Sequence, residues 1–270
     1  MLRFQDKVVW ITGASAGLGR AMAIIFAREG AEVAVSGRRV DRLDEVVREI
    51  ERAGGVALAV PCDVADDAGV ARAVEQVVAR FGRLDVAVAN AGFGVGGPFE
   101  KIDIDDWRRQ LDVNVLGLVS TARHALPHLR TTKGRLALVG SVAGYLPGPG
   151  SAPYAASKAA VRSIGQTLSV ELHGSAVSCT TILPGFVESE IGQVDNRGVF
   201  RADWQDRRSR RIMWPTARAA EVMVTAIEQR KREYVFTLHG RLGTMLARYA
   251  PGITHILVSR FARISPPRGG

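Results

Sequence analysis

The chain has 270 residues, 47% of them hydrophobic and 23% charged, enough apolar material to bury a substantial core within one domain. Its two cysteines, Cys62 and Cys179, lie far apart with no partner at metal-ligand spacing, which excludes a disulfide framework or a zinc site and reads as two buried thiols. The formal net charge of +9 invites an anionic partner, but the arginines are spread over the predicted helices and are dense only in DRRSRR (206–211) and the last thirty residues, so nucleic acid is not expected.

No apolar stretch approaches the roughly 18 residues of a membrane span, and the first apolar run begins at Lys7, leaving no room for a signal peptide. The expected location is therefore the cytoplasm. Apolar runs without polar alternation recur as KVVWI (7–11), EVAVSG (32–37), VALAVPC (56–62), LDVAVAN (84–90), RLALVG (135–140) and VSCTTIL (177–183). Such runs suit strands buried on both faces. Between them, helical periodicity covers 18–28, 41–52, 67–81, 105–129 and 154–172. In the second of these Leu43, Val46, Val47 and Ile50 form one stripe, and Gly54 and Gly55 stop the helix. Strands alternating with helices predict an α/β chain: a doubly wound, mostly parallel sheet with helices on both faces and a ligand crevice at the strand C-terminal ends. No repeat or linker interrupts the chain before residue 240.

The first strand runs into TGASAGLG (12–19). Glycines at 13, 17 and 19 permit a tight turn, close ligand approach and close helix packing, while the helix N-terminus offers N–H groups to phosphate. Gly13, Ser15, Ala16, Gly17, Leu18 and Gly19 are thus candidates to cradle a dinucleotide pyrophosphate. The spacing departs from G-x-G-x-x-G, and a plain strand-to-helix turn would look similar. The second strand ends in VSGRR. Gly37 stands where a carboxylate would take a ribose 2′-hydroxyl, and Arg38 follows with a guanidinium suited to a 2′-phosphate. That favours NADP(H) over NAD(H). Arg39 either assists or is a solvated charge at a helix entry. Cys62, Asp63 and Val64, at the third strand end, are candidates to line the adenine site.

In GSVAGYLPGPGSAPYAASKAA (140–160) a strand-end serine, Ser141, precedes Tyr154 and Lys158. The last two are four residues apart and share one helix face, so an ammonium can sit near the phenol and favour its ionised form. Tyr154 then serves as proton donor and acceptor near neutral pH, with Ser141 hydrogen-bonding a carbonyl oxygen. A core tyrosine beside a solvated lysine is the alternative for that pair alone.

Taken in order, Thr12–Gly19, Asn90-Ala91-Gly92, Asn114, Ser141, Tyr154–Lys158 and Pro184-Gly185 resemble the short-chain dehydrogenase/reductase family, in its compact single-domain, Rossmann-like branch. The resemblance covers roughly 5–237. It implies a catalytic set of Asn114, Ser141, Tyr154 and Lys158, with Asn114 bending its helix so that a backbone carbonyl holds a water linked to Lys158. It further implies that Lys158 binds the nicotinamide ribose, that Asn90, Ala91 and Gly92 lie along the cofactor, and that Pro184, Gly185, Val187 and Ser189 flank the carboxamide. Ser189 replaces the usual threonine. Asn90 and Thr12 equally suit a purely loop-stabilising role. The implied activity is NADP(H)-dependent hydride transfer between nicotinamide and a carbonyl or secondary alcohol. An NAD-linked alcohol dehydrogenase, or a non-catalytic NADP-binding sensor, is the alternative. The implied assembly is a homodimer or homotetramer joined through helices at 105–129 and 154–172.

A variable lid is expected at 186–215, where Phe186, Ile191, Val194, Phe200, Trp204, Ile212, Met213 and Trp214 offer an apolar cover for a bulky ketone of steroid-like or lipid-like character. Phe93, Val95, Phe99 and Pro147 are candidates for the opposite wall. Arg207, Arg208, Arg210 and Arg211 suit either an anionic group or solvent. The catalytic domain is expected to span 1–238, with a last strand over 234–238. A basic amphipathic extension follows over 239–270, read as a flap, a subunit contact or a peripheral membrane contact through 240–263.

Overall fold

The computed structural model describes residues 2–146, 148–204 and 212–261. Its centre is β1 (Val8–Thr12), every residue of which is buried. Side chains alternate along a strand, so Val9 and Ile11 join one core layer and Val8 and Trp10 the other. On either side lie β2 (Glu32–Ser36) and β4 (Val86–Ala89). With β3 (Val56–Ala59), β5 (Arg135–Val139), β6 (Ser178–Ile182) and β7 (Glu233–Tyr234), the sheet order is β3-β2-β1-β4-β5-β6-β7, all pairs parallel. The chain winds outward from β1 in one direction and from β4 in the other. The crevice between them is the switch point at which ligands bind such sheets.

Helices cover both faces, as expected. Met22 and Phe26 of α1 (Gly17–Arg28), Leu43 and Ile50 of α2 (Val40–Arg52), and Met223 and Ile227 of α7 (Thr216–Glu228) fill one layer. Val70 and Val77 of α3 (Asp67–Phe81), Leu118 and Leu129 of α5 (Gly117–Thr132), and Val161 of α6 (Ala152–Glu171) fill the other. Fully burying side chains of this size contributes about 1.5–3 kcal/mol each, and the layers lock the strands into one register. At the base of β4, Asp85 accepts the N–H of Val8 at 3.0 Å and both arms of Arg83 at 2.7 Å.

Two expectations need correction, and the long helix needs detail. β3 is not buried on both faces: it is the sheet edge, with Val56 exposed and its neighbours half-buried. The helix expected over 105–129 is present as one continuous helical path, with a local widening at Asn114. α4 (Ile104–Leu111) begins where the Asp103 carboxylate accepts the N–H of Asp106, and a five-residue wide turn, Asp112–Leu116, joins it to α5. There the N–H of Gly117 reaches back five residues to the carbonyl of Asp112, the widened winding that often marks a functional site. The last strand is two residues long rather than five, because Thr237 turns its hydroxyl to accept the N–H of Gly240 and starts α8 (Leu238–Tyr249). A boundary at 238 thus falls inside a helix. Pro251 opens α9 (Pro251–Phe261). α8 lies over the loop after β5, where Gly240 and Gly243 permit close approach to Val142 and Leu146. Among the described residues no helix is long and apolar enough to cross a membrane.

Candidate active site

The turn after β1 is shaped by glycine. Gly13 has φ +68°, and a Cβ there would lie 2.6 Å from the Ala91 Cα. Gly17 has φ +54° where α1 begins. Ala16, extended at the N-cap, offers no side-chain cap, and the first turn of α1 has no acidic residue. Its N–H groups and the positive end of the helix dipole are therefore left to a ligand, and this cradle fits a pyrophosphate. Gly19 differs from the other two, for it does not line the cleft: a Cβ there would meet the Gly13 carbonyl and the Asn90 amide. It serves packing. Asn90 donates to the carbonyls of Thr12 (3.0 Å) and Gly13 (3.1 Å), and the Thr12 hydroxyl donates to the Val88 carbonyl. The loop-stabilising role left open for both is thus present in the geometry, while Asn90 also faces the cleft.

That cleft has a volume of about 640 Å³ and gathers residues from the C-terminal ends of six strands. Besides Gly13, Ser15, Ala16, Gly17 and Leu18 it takes Arg38 and Arg39 after β2, Asp63 and Val64 after β3, and Asn90, Ala91 and Gly92 after β4. Ser141 follows β5, Tyr154 and Lys158 stand on α6, and Pro184, Gly185, Val187 and Ser189 follow β6. Cys62 and Cys179 are free and buried, and Cys62 also touches the cleft. Burial pushes both thiols up, to about 11 and about 12.

Ser141 and Lys158 are held by short local networks. Ser141 is 9% exposed and its Oγ accepts the N–H of Ala143 at 3.1 Å, which leaves the hydroxyl proton to point elsewhere. Lys158, one turn beyond Tyr154, has its Nζ 5.8 Å from the phenol ring centroid and donates to the Val139 carbonyl at 3.0 Å. Burial pushes the Lys158 ammonium down to about 8. Asn114 sits in the wide turn, 1% exposed. Its Oδ1 accepts the N–H of Phe93, and its Nδ2 donates to the Phe93 carbonyl and to Ser157 Oγ, all within 3.1 Å. Ser157 donates in turn to the Tyr154 carbonyl. Asn114 does not line the cleft, but a Cβ on Gly92 would lie 3.1 Å from its Oδ1 and 3.6 Å from Lys158 Nζ. The bare glycine keeps a narrow passage between the two.

The lid is more selective than the apolar pattern of 186–215 suggests. Of its eight candidates only Ile191 and Phe200 line the cleft, joined by Val199. Val194 packs with Phe93 and Val95, Trp214 packs on Phe236, and Trp204 and Met213 lie off the cleft. Phe186 and Ile212 are exposed. On the opposite wall Phe93 faces the cleft, whereas Val95 is buried beside it and Phe99 is exposed against Trp107. Pro147, Arg207, Arg208, Arg210 and Arg211 lie outside the described residues. The lid tip is pinned at two places. The Asp195 carboxylate accepts the N–H groups of Arg197 and Val199 and the Arg201 guanidinium, and Asn196 exchanges two hydrogen bonds with the Gly96 backbone. Below it, the Phe186 N–H donates to Nε2 of His239 on α8, with the two rings stacked.

Sequence reasoning missed Val113, Val139, Gly140, Glu190, Gly198 and Val199, all of which line the cleft. Gly198 carried a signal, the D-N-R-G run that marks a turn; its φ is +77°. Glu190 carried none, since one carboxylate on a variable segment looks like any surface charge. Among the described residues no three His, Cys, Asp or Glu side chains are grouped to hold a metal.

A doubly wound parallel sheet, a glycine turn at its switch point and a Ser-Tyr-Lys set on one cleft wall define a Rossmann-like α/β chain with a dinucleotide-type crevice. The chain belongs to the short chain dehydrogenase family, whose family model matches residues 7–199. It is 40% identical over 187 residues to the 11-beta-hydroxysteroid dehydrogenase A of Arachis hypogaea, an alignment covering 68% of this chain and 53% of that one. The chain thus spans about half the length of that relative. Its fold is similar to that of a short chain dehydrogenase/reductase from Burkholderia phymatum in complex with NAD, with a TM-score of 0.83 and 26% identity over 100% of both chains. It is also similar to a short chain dehydrogenase from Burkholderia cenocepacia in complex with NADP, with a TM-score of 0.75 and 30% identity, over 86% of this chain and 96% of that one.

Proposed function

We propose that this chain is an NADP(H)-dependent carbonyl reductase or secondary-alcohol dehydrogenase acting on a bulky apolar substrate. The observation that carries the reading is the convergence of Ser141, Tyr154 and Lys158 on the cleft that also receives the glycine turn. When bound, the nicotinamide supplies or accepts the hydride. Tyr154 gives its phenolic proton to the carbonyl oxygen as the carbon is reduced, and takes it back from the alcohol in the reverse direction. Ser141 donates a hydrogen bond to the same oxygen and fixes its position. Lys158 keeps most of its protons at neutral pH, stabilises negative charge near the phenol and meets the ribose hydroxyls. Asn114 positions these groups, through Phe93 on one side and Ser157 on the other.

The phosphorylated cofactor is favoured by Gly37 at the end of β2, where no carboxylate stands, and by Arg38 and Arg39 in the cleft. The NADP complex of the Burkholderia cenocepacia structure agrees with this, while the NAD complex of the other neighbour supports the rival choice. Phe93, Ile191, Val199 and Phe200 make the lining apolar, which suits a steroid-like or lipid-like ketone, and the Arachis hypogaea relative is named for a hydroxysteroid. The test is NADPH and NADH oxidation against a panel of apolar ketones, aldehydes and small polar carbonyls, with Tyr154→Phe alongside. Turnover that vanishes in the variant supports the mechanism. Tight cofactor binding with no turnover on any carbonyl overturns it in favour of a sensor.

Two surfaces extend the reading. Leu116, Val119 and Val170 are exposed on α5, α6 and the turn between α4 and α5, where a homodimer or homotetramer would make its contacts. α8 and α9 expose Leu238, Leu242, Met245, Tyr249, Ile253 and Ile256, accompanied by Arg241, Arg248 and Arg260 and by no acidic residue. That charge pattern matches an anionic lipid surface. Flotation with phosphatidylserine vesicles should carry the protein and leave a Leu242→Asp/Met245→Asp variant behind. Equal behaviour of the two proteins, or loss of self-association alone, would refute a lipid contact.

A further inference from the structure

The two arginines on which cofactor preference rests are already engaged by the lid. Arg39 Nη2 lies 2.9 Å from Glu190 Oε2, and its Nε and Nη2 donate to Ser15 Oγ at 3.3 and 3.2 Å. Its guanidinium also sits 5.8 Å from the Phe200 ring centroid. Arg38 Nη2 donates to the Gly198 carbonyl at 2.9 Å. Ser15, Arg38, Arg39, Glu190, Gly198 and Phe200 all face the cleft. A lid carboxylate therefore holds the cationic end of the cofactor groove.

We propose that Glu190 selects the cofactor by competing for Arg39 with the 2′-phosphate of a phosphorylated dinucleotide. The inference rests on the assignment of this groove to the dinucleotide, and it names a residue on the lid, remote in sequence from the second strand, as a determinant of the preference. A dinucleotide with a free 2′-hydroxyl leaves the Glu190–Arg39 pair intact. One with a 2′-phosphate, carrying nearly two negative charges, must displace the carboxylate to reach the guanidinium. The pair is 35% exposed on each side, so it is weak enough to exchange, and breaking it is the cost that the phosphorylated cofactor alone meets. Glu190 thereby lowers affinity for the phosphorylated cofactor, and the arginines raise it.

The test is direct binding of NADP+ and NAD+, followed by tryptophan fluorescence and calorimetry at low salt, for wild type, Glu190→Gln, Arg39→Met and the double variant. Glu190→Gln should tighten NADP+ roughly fivefold, in line with an exposed ion pair, and leave NAD+ within about twofold. In the Arg39→Met background the same substitution should shift NADP+ by much less, and added salt should shrink the effect. An unchanged NADP+ affinity in Glu190→Gln, or an equal change for both cofactors, overturns the proposal. The cofactor assignment fails separately, if wild type binds neither dinucleotide or if Arg39→Met and Arg38→Met leave NADP+ binding untouched while Glu190→Gln still shifts it.

Discussion

Lys158 is a buried cation whose removal should stabilise the protein while it abolishes catalysis. Its side chain is 5% exposed, and burial lowers its pKa from the ordinary 10.5 to about 8. Below pH 8 the group is charged in both folded and unfolded chains, and the folded state carries the whole desolvation cost, about 3 kcal/mol for a displacement of this size. Between pH 8 and 10.5 the unfolded chain binds more protons, so the stability of the wild type should rise with pH across that window; above it the cost is gone. Lys158→Met lacks the group and the dependence. The stability difference, variant minus wild type, should therefore shrink as pH rises, by about 2 kcal/mol between pH 7 and 10. Loss of the hydrogen bond to Val139 offsets part of the gain at every pH by about 1 kcal/mol, which alters the level and not the slope. Urea titrations of both proteins at four pH values, without cofactor, measure it. A difference that is flat or widens with pH would refute the account of Lys158 as an ammonium held in a buried site.

Ser141→Ala should cut kcat by about 10²-fold or more and leave cofactor Kd within about twofold, as measured by stopped-flow turnover and fluorescence; weakened cofactor binding would move Ser141 from the reacting oxygen to the cofactor. Gly13→Ala should lose dinucleotide binding and about 1–3 kcal/mol of stability, because φ +68° strains a Cβ that also meets Ala91; calorimetric binding and thermal unfolding check it. Asn114→Ala should cost about 2–4 kcal/mol by orphaning the Phe93 N–H and carbonyl, whereas Asn114→Asp, which keeps an acceptor for the N–H, should recover part of it. Raising pH above about 8 should weaken turnover as Lys158 loses its proton, and a pH–rate profile in which kcat holds steady through pH 10 would contradict that role.

The fold was legible because strands such as β1 and β4 are dominated by apolar runs and α2 carries one clean stripe, two signals that local composition controls. The β3 edge escaped notice because VALAVPC reads the same whether or not a neighbour covers its far side. The widened turn at 112–116 is announced by no local composition, and only the resemblance placed a bend at Asn114. Cofactor-side residues such as Gly13 and Arg38 announce themselves at strand ends. Lid residues do not: Trp214 and Val194 are as apolar as Ile191 and Phe200, and only the chain path decides which of them turn toward the cleft.

The position of α8 has a consequence for how distant changes are transmitted. Its first turn touches the segments that follow β5 and β6, through Val142 beyond Ser141 and through His239 against Phe186. The family match ends at residue 199, so this brace lies past the stretch that contributes Ser141, Tyr154 and Lys158. Among the described residues the matched stretch holds every group that lines the cleft except Phe200. A change in α8 therefore reaches the cleft at second hand, by shifting the two segments against which it leans.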